Sequence, residues 1–215
     1  MLELYHHGNS ACAAKVRLAL AEKGIEWEGH YIDIFKGEQF TPEYAKLNPK
    51  CVVPTLVHDG QVVRESSVIC EYLDDVFSGP SLRPDSALDR ARMRIWTKEV
   101  DETYHPATRV VPFAAAHRYT MLDKTAAERE QLLADIPDPQ RRETKRQSIE
   151  LGFDFPEAAA GLRKYIKMIS DMEKALGESI WLAGQTYSLA DTALTIYINR
   201  LSVLSMSGLW EGQCP

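Results

Sequence analysis

The chain has 215 residues, enough for one large domain or two small ones with a substantial core. Its 31 acidic against 25 basic residues argue against a nucleic-acid-binding face, and no apolar run approaches the roughly 20 residues of a membrane span. Cys12, Cys51, Cys70 and Cys214 are scattered without metal or C-x-x-C spacing, so reduced thiols and no metal are expected.

Residues 2–6 read as a short strand that starts directly after Met1, which leaves no room for a signal peptide and points to a cytoplasmic chain. Residues 11–23 carry Val16, Leu18 and Leu20 among small residues at helical periods and stop at Gly24, a good C-cap. Residues 26–34 alternate apolar and polar and predict a second, parallel strand. Thr41-Pro42-Glu43 opens a short helix by a cap and a proline at the first helical position; it ends near Asn48-Pro49. Two strands at 55–57 and 62–64 flank the turn Asp59-Gly60. Residues 67–77 are helical, with Val68, Ile69, Tyr72, Leu73 and Val76 on one face. The order is β-α-β-α-β-β-α, an α/β unit over 1–78.

Serine, glycine and proline at 78–84 mark a linker, set at 79–86. Everything from 87 to 215 has a helical pattern. One long helix is predicted over 86–117, interrupted near Pro106 and again at Pro112. Residues 123–150 are charged and carry Pro137 and Pro139. Residues 156–176 are amphipathic, and 188–204 are apolar nearly all round, as in a buried helix.

The most informative stretch is Val52-Val53-Pro54-Thr55-Leu56, followed by Arg64-Glu65-Ser66-Ser67. A proline entering a strand lacks the donor that the ladder needs and belongs at an edge or bend. With a cis bond before Pro54, Val53 would turn its N–H and C=O outward to pair with another chain in β fashion. Glu65 and Ser66 then offer a carboxylate, a hydroxyl and a helix N-terminal N–H, which can hold the ammonium and carboxylate of an amino-acid head. These groups suit a small peptide with a free α-amino-acid end, such as glutathione. Ser10 sits between the first strand and first helix, where the helix terminus favours negative charge. Its hydroxyl can stabilise a thiolate, or it can simply cap the helix. Cys12, in the first helical turn, is the rival nucleophile, and Asn9 lies close enough to assist. Of His6 and His7 only one can face a cleft, and a plain surface role is expected.

Four segments in order resemble the cytosolic glutathione transferases. They are the run from Ser10 to Leu20 with Lys23-Gly24-Ile25, Asn48-Pro49 through Val53-Pro54, Glu65-Ser66, and Tyr187-Ser188-Leu189-Ala190-Asp191. The first segment is similar to the zeta and theta-like classes. The resemblance implies a thioredoxin-like N-terminal domain followed by an all-α domain, and a glutathione thiolate attacking a hydrophobic electrophile. It makes Ser10 the activating residue, with Cys12 and Asn9 as alternatives. Val53, Pro54, Glu65 and Ser66 become glutathione-binding residues. Gln39 matches a position for the glycyl carboxylate, with Lys36 or Lys50 as substitutes, and Val52 stands where relatives often carry Lys or Gln. Ser188 and Asp191 become a structural cap, and Tyr104, Arg109 and Phe113 candidates for the electrophile pocket.

A subgroup of the family, the bacterial glutathione-dependent β-aryl-etherases, is similar at residues 58–63, 68–77, 92–98, 136–139 and through to Gly152-Phe153. Family members usually continue with further helices after the capping-motif helix, so part of the substrate-site wall is expected to be missing here. General conjugation, aryl-ether cleavage and non-catalytic ligand binding all stay open, as does a glutaredoxin-like thiol transferase through Cys12. A homodimer is implied by the family and by apolar residues expected on the third and fourth helices.

Overall fold

The computed structural model describes residues 1–215 apart from 109, 135, 137, 213 and 215. β1 (Leu2–His6), α1 (Ala11–Glu22), β2 (Glu28–Tyr31), α2 (Pro42–Leu47), β3 (Thr55–His58), β4 (Gln61–Arg64) and α3 (Ser66–Val76) follow in chain order. The four strands form one sheet in the order β2-β1-β3-β4. β1 runs parallel to β2, from Glu3 opposite Glu28 to His6 opposite Tyr31, and antiparallel to β3, with Leu4 opposite Leu56. This is the predicted thioredoxin-like order. β2 is shorter than its alternating pattern suggested, because as an edge strand it pairs only with β1.

Apolar residues at helical spacing explain the core. Val16, Ala19 and Leu20 of α1, Ile69 and Leu73 of α3, and Leu4 and Leu56 of the sheet are fully buried. The predicted face of α3 splits: Ile69 and Leu73 go inward, whereas Val68 (56 % exposed) and Val76 (47 %) face out. α1 ends at Gly24, whose φ of 65° is the left-handed conformation that Gly adopts without a Cβ penalty.

From 87 onward the regular elements among the described residues are helical: α4 (Ala87–Glu99), α5 (His105–Ala107), α6 (Arg118–Leu122), α7 (Ala126–Ala134), α8 (Pro139–Leu151), α9 (Pro156–Glu178) and α10 (Leu189–Val203). The two predicted interruptions of the long helix take the form of wide π turns at Val100–Tyr104 and Phe113–His117. A proline has no N–H and its ring crowds the carbonyl four residues back, so the turns beside Pro106 and Pro112 loosen. The charged stretch 123–150 holds two helices with polar starts. Thr125 and Glu128 form a reciprocal cap, with the Thr125 N–H donating to Glu128 Oε2 at 2.8 Å. Asp138 accepts from the N–H groups of Gln140 and Arg141, and Pro139 opens α8.

Residues 79–86, the expected linker, hold bends and irregular backbone, and helix begins at Ala87. The compact units divide elsewhere: one comprises Met1–Thr97 with Ser179–Arg200, the other Lys98–Glu178 with Leu201–Pro215. The reason lies in the first unit's own bonds. The Leu189 N–H donates to Leu82 O at 2.8 Å, and the Trp96 indole donates to Leu182 O at 3.0 Å. Most of α4 and α10 therefore belongs with the sheet. The second unit is built on Val100, Tyr104, Val111, Ala114, Ala158, Tyr165 and Met168, all buried. No helix among the described residues is long and apolar enough to cross a membrane.

Candidate glutathione site

Ser10 is the N-cap of α1, with extended backbone (φ −84°, ψ 118°), and its Oγ accepts from the Ala13 N–H at 3.2 Å. Capping uses one lone pair and leaves the hydroxyl proton for another acceptor, so both expected roles are chemically compatible. Cys12 lies in the first helical turn and is half-buried, between the buried Ala11 and Ala13.

The loop before Ser10 is closed by polar contacts. The Ser10 N–H donates to His7 O at 3.2 Å and the Asn9 N–H to His7 Nδ1 at 3.0 Å. Arg17 donates to His7 O (3.2 Å) and Gly8 O (3.3 Å). The expectation of a plain surface histidine fails for His7, which is buried against the rings of Tyr31 and Phe35. Burial, with the nearby Arg17 charge, lowers its pKa despite Asp33. Its Nδ1 is an acceptor, which fixes the neutral tautomer with the proton on Nε2.

The Val53–Pro54 peptide bond is cis, both residues are buried, and β3 begins only at Thr55, so the ladder leaves Val53 aside. The segment is braced from behind: Tyr44 OH donates to Val52 O at 2.7 Å, Asn48 Nδ2 to Val52 O at 2.8 Å and to Thr55 Oγ1 at 3.1 Å. Val52 thus spends its carbonyl internally and exposes its side chain. Glu65 has a φ of 67°, uncommon for a residue with a Cβ, and such conformations cluster at ligand clamps. Its carboxylate accepts from Lys50 Nζ at 2.7 Å. Ser66 is the buried first residue of α3, and Glu65, not Ser66, occupies the cap position, without a side-chain capping bond.

Gln39 is buried in the turn Glu38–Phe40. Its Nε2 donates to Ile34 O at 3.5 Å, while its Oε1 has no partner. Lys36 pairs with Asp33 at 3.3 Å. Ser188 and Asp191 cap α10: Asp191 Oδ2 accepts from the Ser188 N–H (2.9 Å) and hydroxyl (3.0 Å), and Oδ1 from the Leu182 N–H (2.9 Å).

In the second unit Tyr104 is 1 % exposed, its hydroxyl donating to Asp171 at 3.4 Å; burial, then Asp171, pushes the phenol pKa up. Phe113 is buried with Leu133 and Ile149, and Lys145 Nζ stands 3.3 Å from its ring centroid. Both side chains are interior to that unit. Arg109, the third pocket candidate, lies outside the described residues.

Two residues at the loop escaped sequence reasoning. Arg17 follows Ser10 on α1 and could have been suspected from its helical position. Arg200 donates from α10 to Asn9 across 191 residues, a pairing that no local signal announces.

A thioredoxin-like sheet with an N-capping serine, a cis-proline segment and an acidic residue ahead of α3 is the arrangement that the resemblance to glutathione transferases implied. Residues 9–76 match the glutathione S-transferase N-terminal domain family. Protein LigF of Sphingobium sp. (strain NBRC 103272 / SYK-6) is 38% identical over 194 residues, covering 88% of this chain and 75% of that protein. Glutathione S-transferase 1 of Dianthus caryophyllus is 43% identical over 90 residues, covering 42% of this chain and 41% of its own. Among solved structures, beta-etherase LigF from Sphingobium sp. strain SYK-6 superposes with a TM-score of 0.79 at 36% identity, over 94% of this chain and 84% of that one. Glutathione transferase F7 from Populus trichocarpa shares the fold, with a TM-score of 0.73 at 23% identity over 99% and 88%. The chain belongs to the glutathione S-transferase family.

Proposed function

We propose that the protein ionises the thiol of glutathione beside Ser10 and delivers the thiolate to a hydrophobic electrophile. The observation that carries this is Ser10 itself, a half-buried hydroxyl at the positive end of α1 that caps the helix and still holds a proton to donate. Val53 pairs with the peptide backbone of glutathione. Glu65 and Ser66 receive the γ-glutamyl head at the start of α3, the carboxylate taking the ammonium. Gln39 takes the glycyl carboxylate, with Lys36 or Lys50 as its substitute, while Val52 contributes only shape. Tyr104, Arg109 and Phe113 remain the candidates to shape the electrophile's surroundings. Cys12 and Asn9 are the alternatives to Ser10 at the sulfur.

Aryl ethers of the lignin type are the first substrates to try, because the likeness to LigF runs through the helical region as well as the sheet domain. In that reaction a C–S bond forms at the carbon bearing the ether oxygen, the C–O bond breaks, and the phenolate leaves with the electron pair. An activated aryl halide fits the same chemistry, with halide as leaving group.

The functional division proposed is a glutathione domain over 1–78, a linker over 79–86 and a helical domain over 87–215. Val68 and Val76 of α3, with Leu88 and Ile95 of α4, are exposed apolar residues that suit a homodimer. A cytoplasmic setting fits cysteines that form no disulfide with one another among the described residues.

Ultraviolet titration of bound glutathione in the wild type and in Ser10→Ala tests this reading. The expected result is a thiol that ionises at lower pH than free glutathione in the wild type and returns toward the free value in the variant. A midpoint unchanged by the substitution ends the serine mechanism. Failure to bind glutathione ends the transferase reading.

A further inference from the structure

α10 reaches the Ser10 loop through Arg200. Arg200 Nη1 donates to Asn9 Oδ1 at 2.6 Å, and Nη2 donates to Asn9 O at 2.5 Å. Both contacts are short, charge-assisted and made by one planar fork. With Arg17 on His7 O and Gly8 O, guanidinium groups take the main-chain carbonyl of each of the three residues that lead into Ser10.

The chemistry of the fork settles the orientation of the Asn9 amide. Guanidinium carries donors only, so the end that it touches must be the oxygen. The NH2 end is thereby turned away from Arg200 and has two protons to give. Rotated the other way, the amide would set NH2 against a cation's N–H. Asn9 immediately precedes the capping serine, at the terminus of α1 where negative charge is favoured. A donor fixed there can hold a sulfur anion, while a freely turning amide would present its oxygen half the time and repel one.

We infer that Arg200 is a positioning residue for thiol activation: its fork on Asn9 presents the Asn9 amide as a hydrogen-bond donor beside Ser10. The inference rests on the proposed glutathione chemistry at Ser10. It adds to that site a residue of α10 that lies 191 positions from Asn9 in the chain. The thiol proton leaves to water, and the charge that remains meets Ser10 and Asn9 as donors, with two guanidinium groups anchored behind them.

The test titrates bound glutathione in the full-length wild type, Arg200→Lys, Asn9→Asp, Asn9→Ala and the double variant Arg200→Lys/Asn9→Ala. Glutathione affinity by calorimetry and thermal midpoints run in parallel. Arg200→Lys keeps the charge and removes the fork, so the bound thiol should ionise about one pH unit higher, with a roughly tenfold lower kcat on an activated aryl chloride at pH 6.5. KM for glutathione and the thermal midpoint should stay near wild type. Asn9→Asp keeps an oxygen for Arg200 and removes the donor, so it should retain stability and lose thiol activation. Asn9→Ala should match Arg200→Lys, and the double variant should add nothing beyond either.

An Arg200→Lys midpoint equal to wild type overturns the inference while leaving Ser10 activation intact, as do additive effects in the double variant. If Arg200→Lys unfolds, Asn9→Asp decides: a wild-type midpoint in that variant removes the donor role. A wild type with no lowered thiol midpoint removes the underlying reading and this one together.

Discussion

The two compact units are held together differently. In the unit that carries Ser10, polar groups are buried in directed networks. Lys23 and Asp74 pair at 2.9 Å with both side chains 2 % exposed, and Asp74 also accepts from Leu82 N–H and Arg83 Nε at 2.8 Å. Tyr44, Asn48 and Thr55 brace the cis-proline segment, and Asp191 braces the start of α10. In the other unit the interior is largely apolar, and the ion pairs, such as Arg146 with Glu130 and Lys167 with Asp171, lie on exposed positions. Hydrogen bonds have direction and fix a backbone to tenths of an ångström; apolar packing asks only for volume and shape. The proposed site, which sets a thiol against a helix terminus, needs the first kind. A region that is free to vary its interior suits the second.

Removing Asp74 should damage the first unit most. Asp74→Ala leaves the Lys23 ammonium buried without its counter-ion, and a loss of about 4 kcal/mol in urea unfolding is expected. The pH dependence follows. Burial works against the Asp74 charge, yet Leu82 N–H, Lys23 and Arg83 outweigh it and hold the carboxyl below its ordinary value. Its stabilisation is therefore complete above the unfolded carboxylate pKa and disappears as pH falls through the folded one. A variant as stable as wild type at pH 7 would mean that direction matters less here than the geometry implies.

The second unit should answer to volume. Gly161 in α9 sits where a Cβ would come within 2.8 Å of Val111 Cγ2 and 3.2 Å of Val110 Cγ2. Gly161→Ala gains helix propensity of up to about 1 kcal/mol, but β-branched valines cannot easily turn aside. A net loss of about 1 kcal/mol is expected from overpacking. Stabilisation by this change would show that the interior is loose enough to give way.

An effect of similar size and opposite sign should come from Lys145, the exception to the apolar pattern. Burial, then the Arg141 charge, lowers its pKa from 10.5 to about 8, while the Phe113 ring face favours the ammonium. Between about 8 and 10.5 the unfolded chain binds more protons than the folded one, so stability from this group rises with pH across that window. Lys145→Met should be stabilising by about 1 kcal/mol at pH 7, the gap closing toward pH 10. A gap that stays constant with pH would assign the effect to packing alone.

Much of the architecture was readable before any coordinates. The short strand at 2–6, helical spacing at 11–23, the Asp59-Gly60 turn and the prolines at 106 and 112 each act through neighbours a few residues away. Local sterics and the period of apolar residues suffice for them. For the same reason the capping serine at 10, the proline entering β3 and the Glu65-Ser66 pair could be picked out by type and spacing. Other features depend on partners remote in the chain. β2 shortened because only β1 pairs with it. Val68 and Val76 face outward although they sit on the apolar side of α3. His7 is buried under Tyr31 and Phe35, and Tyr104 gives its hydroxyl to Asp171. The residues alone determined a thioredoxin-like domain followed in the chain by a helical region, and picked out a small set of candidate groups for a thiol peptide. Only the tertiary structure decided which carbonyls hold the Ser10 loop and which way the Asn9 amide turns, because a hydrogen bond between residues 9 and 200 exists only once the chain has folded.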